Sequence, residues 1–105
     1  MTVNEIKTML VGVDPGVQRY DHDGAGEADA YTVWQELTPL GLYGDGEEEG
    51  SWRIQVDRFT RTEDEATAQM LRETLEEQDD IAVEYRVDYE PDTGYIHHIF
   101  TCEAV

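Results

Sequence analysis

A glycine-rich acidic segment beginning at Asp21 is the first stretch whose residue types and spacing could do chemistry. Asp21, Asp23 and Gly26 fall at the first, third and sixth positions of an EF-hand calcium loop. The fifth position is Ala25, and the twelfth, where a bidentate glutamate is needed, is Thr32. The residues that follow are strand-like, whereas an EF-hand needs a helix there. The pattern therefore favours a flexible acidic loop over a calcium site, and we predict no metal ligand.

The histidines and the single cysteine are the other candidates for metal or covalent chemistry. His97 and His98 are adjacent on a predicted strand, so their side chains point to opposite faces and cannot chelate one metal ion together. We predict that His98 is a core histidine with its hydrogen bonds satisfied, and that His97 either partners Asp88 on the polar face or contacts another subunit. Cys102 cannot form an internal disulfide because it is the only cysteine, and we predict that it is a small, buried hydrophobic residue.

Paired carboxylates carry almost no information in a chain with 25 acidic residues, because some of them must lie close together. A glycosidase-type pair also needs a deep cleft, which a domain of 105 residues has little room to form. The sequence contains no nucleophile-elbow motif, no phosphate-binding glycine loop and no Cys–His arrangement typical of a thiol enzyme. We therefore expect a protein that is not an enzyme, with no catalytic residue and no cofactor.

The formal net charge of −18 restricts the partners of this chain. It argues against nucleic-acid binding through a basic patch and against docking on an anionic membrane, because phosphate groups would be repelled. Lys7 is the only lysine. An ordinary solvated surface, adaptation to high salt and a surface that repels another polyanion are all consistent with this balance, and the three interpretations stay open.

The length predicts one domain, residues 1–105, with long flexible loops at about 21–29 and 38–51. Thr2 and Glu5 predict a capping box at the start of a first helix. The side chains of that helix expected in the core are Val3, Ile6 and Leu10.

The second half of the chain predicts a strand, a helix and a hairpin. Thr62 and Glu65 predict a capping box for a helix that runs to Gln78, with a buried stripe formed by Ala68, Leu71 and Leu75. Pro91 to Gly94 predicts the reversal of the hairpin. With Glu90 opposite Tyr95, the core face carries the pairs Val83–Cys102, Tyr85–Phe100, Val87–His98 and Tyr89–Ile96.

Three stretches resemble the tail-terminator or tail-completion family of long-tailed bacteriophages and related tailed viruses, which includes the tail-to-head joining proteins. They are the N-terminal helix (3–10), the aromatic and aliphatic strand ending in Gln35 (30–35), and the strand 54–59 leading into the second helix and the hairpin. The resemblance covers nearly the whole length and consists of an order of elements with loose sequence preferences.

The resemblance implies an α+β subunit of a ring, with a mainly antiparallel four-stranded sheet and two helices packed on one face. Such siphovirus proteins form a homohexameric ring at the head-proximal end of the tail tube, which stops tube polymerisation and joins the tail to the head. The implied partners are further copies of the chain, the major tail tube protein and the head-tail connector or head-completion protein. Genomic DNA would pass through the lumen without specific binding, and no membrane is involved. The implied location is the virion, after assembly in the host cytoplasm.

Seven residues are candidates for contacts within such an assembly. One group combines apolar side chains with an acidic loop tip, and the other lies on the polar face of the predicted hairpin with side chains of a type enriched in interfaces. The candidates are Leu42, Tyr43, Glu47, Glu48, Glu49, Tyr95 and Ile99.

Two other functions remain open on the sequence alone. One is a head-completion or connector ring, which shares the small α+β plan and the need for a DNA passage. The other is a DNA-mimic inhibitor, whose acidic surface would occupy a basic site on a nuclease or polymerase.

Deletion of residues 40–50 tests the loop candidates. We expect the deletion to leave the far-ultraviolet circular dichroism spectrum and cooperative unfolding intact, because the predicted elements lie outside it. Attachment to tail tube or connector should be abolished in a tail-assembly assay. A Gly/Ser replacement of equal length controls for loop closure, and normal tails from the deletion variant would show that the loop makes no such contact.

Overall fold

The computed structural model describes residues 1–37, 52–63 and 65–104. The elements follow one another as two helices and five strands. They are α1 (Val3–Val13), β1 (Gln18–Arg19), β2 (Ala30–Glu36), β3 (Arg53–Thr60), α2 (Ala66–Glu76), β4 (Ile81–Glu90) and β5 (Tyr95–Ala104). The fold is therefore α+β, as the sequence predicts.

The five strands form one mixed sheet in the order β1-β2-β3-β5-β4. The pairs β2–β3, β3–β5 and β5–β4 are antiparallel, whereas β1 pairs in parallel with β2. The prediction of a four-stranded sheet is thus one strand short, although the sequence does predict a short extended piece at residues 17–20, where β1 lies. The missing strand has only two residues, Gln18 and Arg19, and its position depends on tertiary contacts: the Tyr20 amide donates to the Trp34 carbonyl, and the Arg19 guanidinium lies 4.9 Å from the Trp34 ring.

Both helices contribute to one core on one face of the sheet. The cross-strand register places Trp34, Val56 and Phe100 in a row on this face. The apolar stripes of the helices join the same cluster, with Val3, Ile6 and Leu10 from α1 and Leu71 and Leu75 from α2. The capping box of Thr2 and Glu5 is present, and the predicted core stripes of both helices are confirmed.

Helix α2 begins later than the capping box of Thr62 predicts. Its N-cap is Glu65, whose carboxylate accepts a hydrogen bond from the Ala68 amide at 2.7 Å. The Thr62 carbonyl instead accepts from the Thr60 hydroxyl. Glu65 takes the cap position because its carboxylate also meets a buried arginine, an interaction that the local sequence does not reveal.

The register of the terminal hairpin is confirmed, including Glu90 opposite Tyr95, Tyr85 opposite Phe100 and Val83 opposite Cys102. The prediction that this whole face is buried is wrong at one end, because Val87 and Tyr89 are 46% and 64% exposed. Helix α2 has 11 residues and spans about 16 Å, against about 33 Å for the ten residues of β4, so it covers only part of the strand.

Two side-chain truncations compare the buried and the exposed ends of this face. Phe100 is completely buried, so Phe100→Ala should lower the free energy of unfolding by about 3–5 kcal/mol. Tyr89→Ala on the exposed end should change it by less than about 0.5 kcal/mol. Urea unfolding followed by tryptophan fluorescence measures both values, and equal losses would contradict this difference in burial.

Candidate functional site

The predicted contact residues fall into two groups. Leu42, Tyr43, Glu47, Glu48 and Glu49 lie outside the described residues. Tyr95 and Ile99 are described and are only 1% and 4% exposed. Their burial leaves them unavailable to a neighbouring subunit in this conformation.

Tyr95 is buried because it joins the 21–29 segment to the sheet. Its hydroxyl donates a hydrogen bond to the Ala28 carbonyl at 2.5 Å, and its ring makes edge contacts with Tyr31 and Phe59. The Arg61 guanidinium lies 4.3 Å from the Tyr95 ring centre. The side of the hairpin that alternation predicts to be polar therefore carries a small aromatic cluster at this end.

His97 belongs to the same side of the sheet. Its Nε2 lies 2.7 Å from Asp57 Oδ1, and its ring stacks on Phe59 with the ring centres 4.1 Å apart. Asp57 also accepts from the side-chain amide of Gln55. The register opposite Asp88 is as predicted, but the hydrogen bond of His97 goes to Asp57. These hydrogen bonds provide partners for the buried carboxylate of Asp57.

The opposite side of the sheet contains a buried arginine at the meeting point of the two helices. Arg58 Nη1 donates to Asp14 Oδ2 at 3.2 Å and to Thr32 Oγ1 at 3.0 Å, and Nη2 donates to Glu65 Oε2 at 2.5 Å. Asp14 is the C-cap of α1 and Glu65 is the N-cap of α2. Burial by itself would raise the pKa of Glu65, but hydrogen bonds from Arg58 and the Ala68 amide outweigh it and lower that pKa.

His98 lies directly across from Arg58 on the neighbouring strand. It is 9% exposed, and its Nδ1 is 2.8 Å from the Tyr85 hydroxyl. Among the described residues its Nε2 has no hydrogen-bond partner. With the ring proton on Nε2, the Tyr85 hydroxyl donates to Nδ1, and a buried N–H donor is left unpaired. The prediction that His98 is buried is confirmed, but the prediction that its hydrogen bonds are satisfied is wrong at Nε2.

His98 and Tyr85 also line an open groove at the exposed end of the hairpin, which we call the hairpin groove. Its walls are side chains of β4 and β5 on one side and of the connection into α2 on the other. The lining residues are Arg61, Glu63, Tyr85, Val87, Asp88, Tyr89, Gly94, Ile96 and His98. Its exposed apolar walls, Val87 and Tyr89, are typical of a surface that contacts another molecule.

The outer strand β4 is the second part of this site. It occupies one end of the strand order and, within the described sheet, has a neighbour only on the β5 side. Its ten residues leave a row of backbone donors and acceptors unpaired by any described strand, which is the usual template for strand addition. The alternation of β4 predicts Val87 and Tyr89 in the core and so does not reveal this surface. The available signal was the mismatch between a ten-residue strand and a shorter helix.

Other chemistries find little support in the described part of the chain. No three His, Cys, Asp or Glu side chains there come together as a metal site. Cys102 is fully buried, as predicted, and its burial raises the pKa of the thiol to about 12. No helix among the described residues is long and apolar enough to cross a membrane.

Comparison with known proteins found no matching family model, no matching curated protein and no matching solved structure.

The buried histidine should make stability depend on pH in a defined direction. Burial lowers the pKa of His98 below its ordinary value of 6.5, so the fold favours the neutral ring. This contribution is fully present above pH 6.5 and is lost as the pH falls through the lower, folded-state pKa. A folded-state pKa that lies one unit below the unfolded-state pKa corresponds to about 1.4 kcal/mol in the free energy of unfolding.

We expect the wild type to lose stability relative to His98→Gln as the pH is lowered from 7 through this window, since glutamine does not titrate. Urea unfolding at a series of pH values measures the difference. His97→Gln is the control for the neighbouring ring. Parallel stability curves for the wild type and His98→Gln would contradict the assignment.

Proposed function

We propose that this chain is a structural protein of a tailed virus that forms a ring at the head-proximal end of the tail tube. In this role it stops tube polymerisation and joins the tail to the head connector, and DNA passes through its lumen. The observation that carries the proposal is the long, partly apolar outer strand β4 beside the hairpin groove. A surface of this kind is one that a partner protein would cover.

The order of elements supports the same proposal. A first helix, a central sheet, a second helix after β3 and a terminal hairpin follow one another in the order that the resemblance to tail-terminator proteins implies. Within the described sheet, the outer strands β1 and β4 each have a neighbouring strand on one side only, which leaves an edge for contacts between subunits.

The charge of the chain supports a role in DNA passage. A ring of six copies would carry on the order of a hundred negative charges, and a lumen sharing that field would repel the DNA backbone. Repulsion lets DNA move through without being held. The same acidity also suits a virus of a salt-loving host, in which charged surfaces stay hydrated.

The experiment combines light scattering, negative-stain microscopy and tube binding. The chain is examined at low salt and at about 1 M salt, where charge repulsion is screened within about 3 Å. Purified tail tubes assembled from a major tail tube protein are then added. We expect rings of about six subunits that decorate one end of each tube.

A matched pair of double variants tests the surface. Val87→Ser with Tyr89→Ser should prevent end decoration, because it removes the exposed large hydrophobic residues of β4. Val11→Ser with Tyr20→Ser is the control, since these residues have the same types and comparable exposure at 41% and 51% but lie elsewhere. Decoration by both variants would contradict the choice of surface. A species that stays small at every salt and ignores tubes would instead favour the connector ring or the DNA-mimic inhibitor.

A further inference from the structure

Arg86 stands apart from the other arginines of this chain. Five arginines make ion pairs with carboxylates, namely Arg19, Arg53, Arg58, Arg61 and Arg72. Arg86 is exposed in the middle of β4, and no ion pair joins it to another described residue. In a chain with 25 acidic residues, a cation without a carboxylate partner is conspicuous. Its neighbours on the same side of the strand are Glu84 and Asp88.

We propose that a second copy of this chain covers β4, with the two β4 strands antiparallel about a two-fold axis that passes between the paired Tyr85 residues. Directly opposed residues of antiparallel strands share a face. In this register Glu84 of each copy lies opposite Arg86 of the other, and the two-fold axis generates two such pairs. Each Arg86 thereby gains the carboxylate that it lacks in the single chain.

The apolar face of β4 is complementary to itself in the same register. Val87 lies opposite Val83 of the second copy, and Tyr89 lies opposite Ile81. Beside Ile81 and Val83 is an open pocket whose remaining walls are Tyr85 and the Arg72 and Glu76 side chains of α2. Val87 and Tyr89, the exposed large hydrophobic residues of β4, would thus be placed against apolar residues next to this pocket.

The neighbouring registers are disfavoured by charge. Moving the axis to Arg86 would oppose Arg86 to itself and Glu84 to Asp88. Moving it to Glu84 would oppose Glu84 to itself and leave Arg86 opposite Ala82. Like charges directly opposite each other on adjacent strands are destabilising, whereas opposite charges stabilise the pair. The charge pattern of β4 therefore selects the register centred on Tyr85.

This dimer goes beyond the proposed ring and does not depend on it. An isologous contact joins only two subunits, so it describes the chain away from the tail, with its unpaired strand protected from other associations. Two chains of −18 repel one another at long range, and we expect salt to tighten the dimer as that repulsion is screened.

The test measures the dimer dissociation constant by sedimentation velocity of the full chain without tail tubes. Arg86→Glu and Glu84→Arg should each weaken the dimer by at least about tenfold, because the two-fold axis turns both ion pairs into repulsive pairs. The double variant Glu84→Arg with Arg86→Glu should restore the wild-type constant to within about threefold, since it exchanges the charges and keeps them complementary.

Lys7→Glu is the matched control for Arg86→Glu, because it changes the net charge equally at an exposed position on α1. It should leave the constant within about threefold of the wild type. Restoration by the double variant is specific to β4 pairing with itself, because another partner strand would not carry the exchanged charges. A wild type that is monomeric at every salt and concentration, or a double variant that stays as weak as the single ones, would overturn the proposal.

Discussion

The ion pairs of Arg58 hold the layers of this protein together. A single guanidinium on the middle strand β3 reaches the end of α1 through Asp14 and the start of α2 through Glu65. Without the arginine, two carboxylates would lie together in a largely buried place, and an uncompensated buried charge typically costs about 3–5 kcal/mol. The helices are therefore positioned on the sheet by charge as well as by their apolar stripes. A chain with few cations uses one of them at the point where three elements meet.

The two faces of the sheet have different surroundings, although the same strands contribute side chains to both. One side carries the core and, beyond the reach of α2, the open hairpin groove. The other side is polar along β4 but carries the aromatic cluster around Tyr95, to which the 21–29 segment is joined. Alternation along each strand supplies both environments. The surface that we propose as functional lies where helix α2 ends and the rest of β4 is left uncovered.

The sequence predicts those parts of the fold that depend on local or periodic signals. The hairpin register follows from the Pro91–Gly94 turn together with alternation, and the buried stripes of both helices follow from their spacing. The N-cap of α2 could not be predicted, because Glu65 is preferred over Thr62 through a contact with Arg58 from another element. The exposure of Val87 and the burial of Tyr95 likewise depend on which segments cover each side of the sheet, and alternation carries no information about coverage.

The buried position of Cys102 has a practical consequence. A thiol with a pKa of about 12 and no exposed surface is almost entirely unreactive in the folded chain, because the thiolate is the reactive form. Cys102 is the only cysteine, and it lies on β5 between β3 and β4. A thiol reagent can therefore modify Cys102 only when the central sheet opens. The rate of modification measures how often such openings occur.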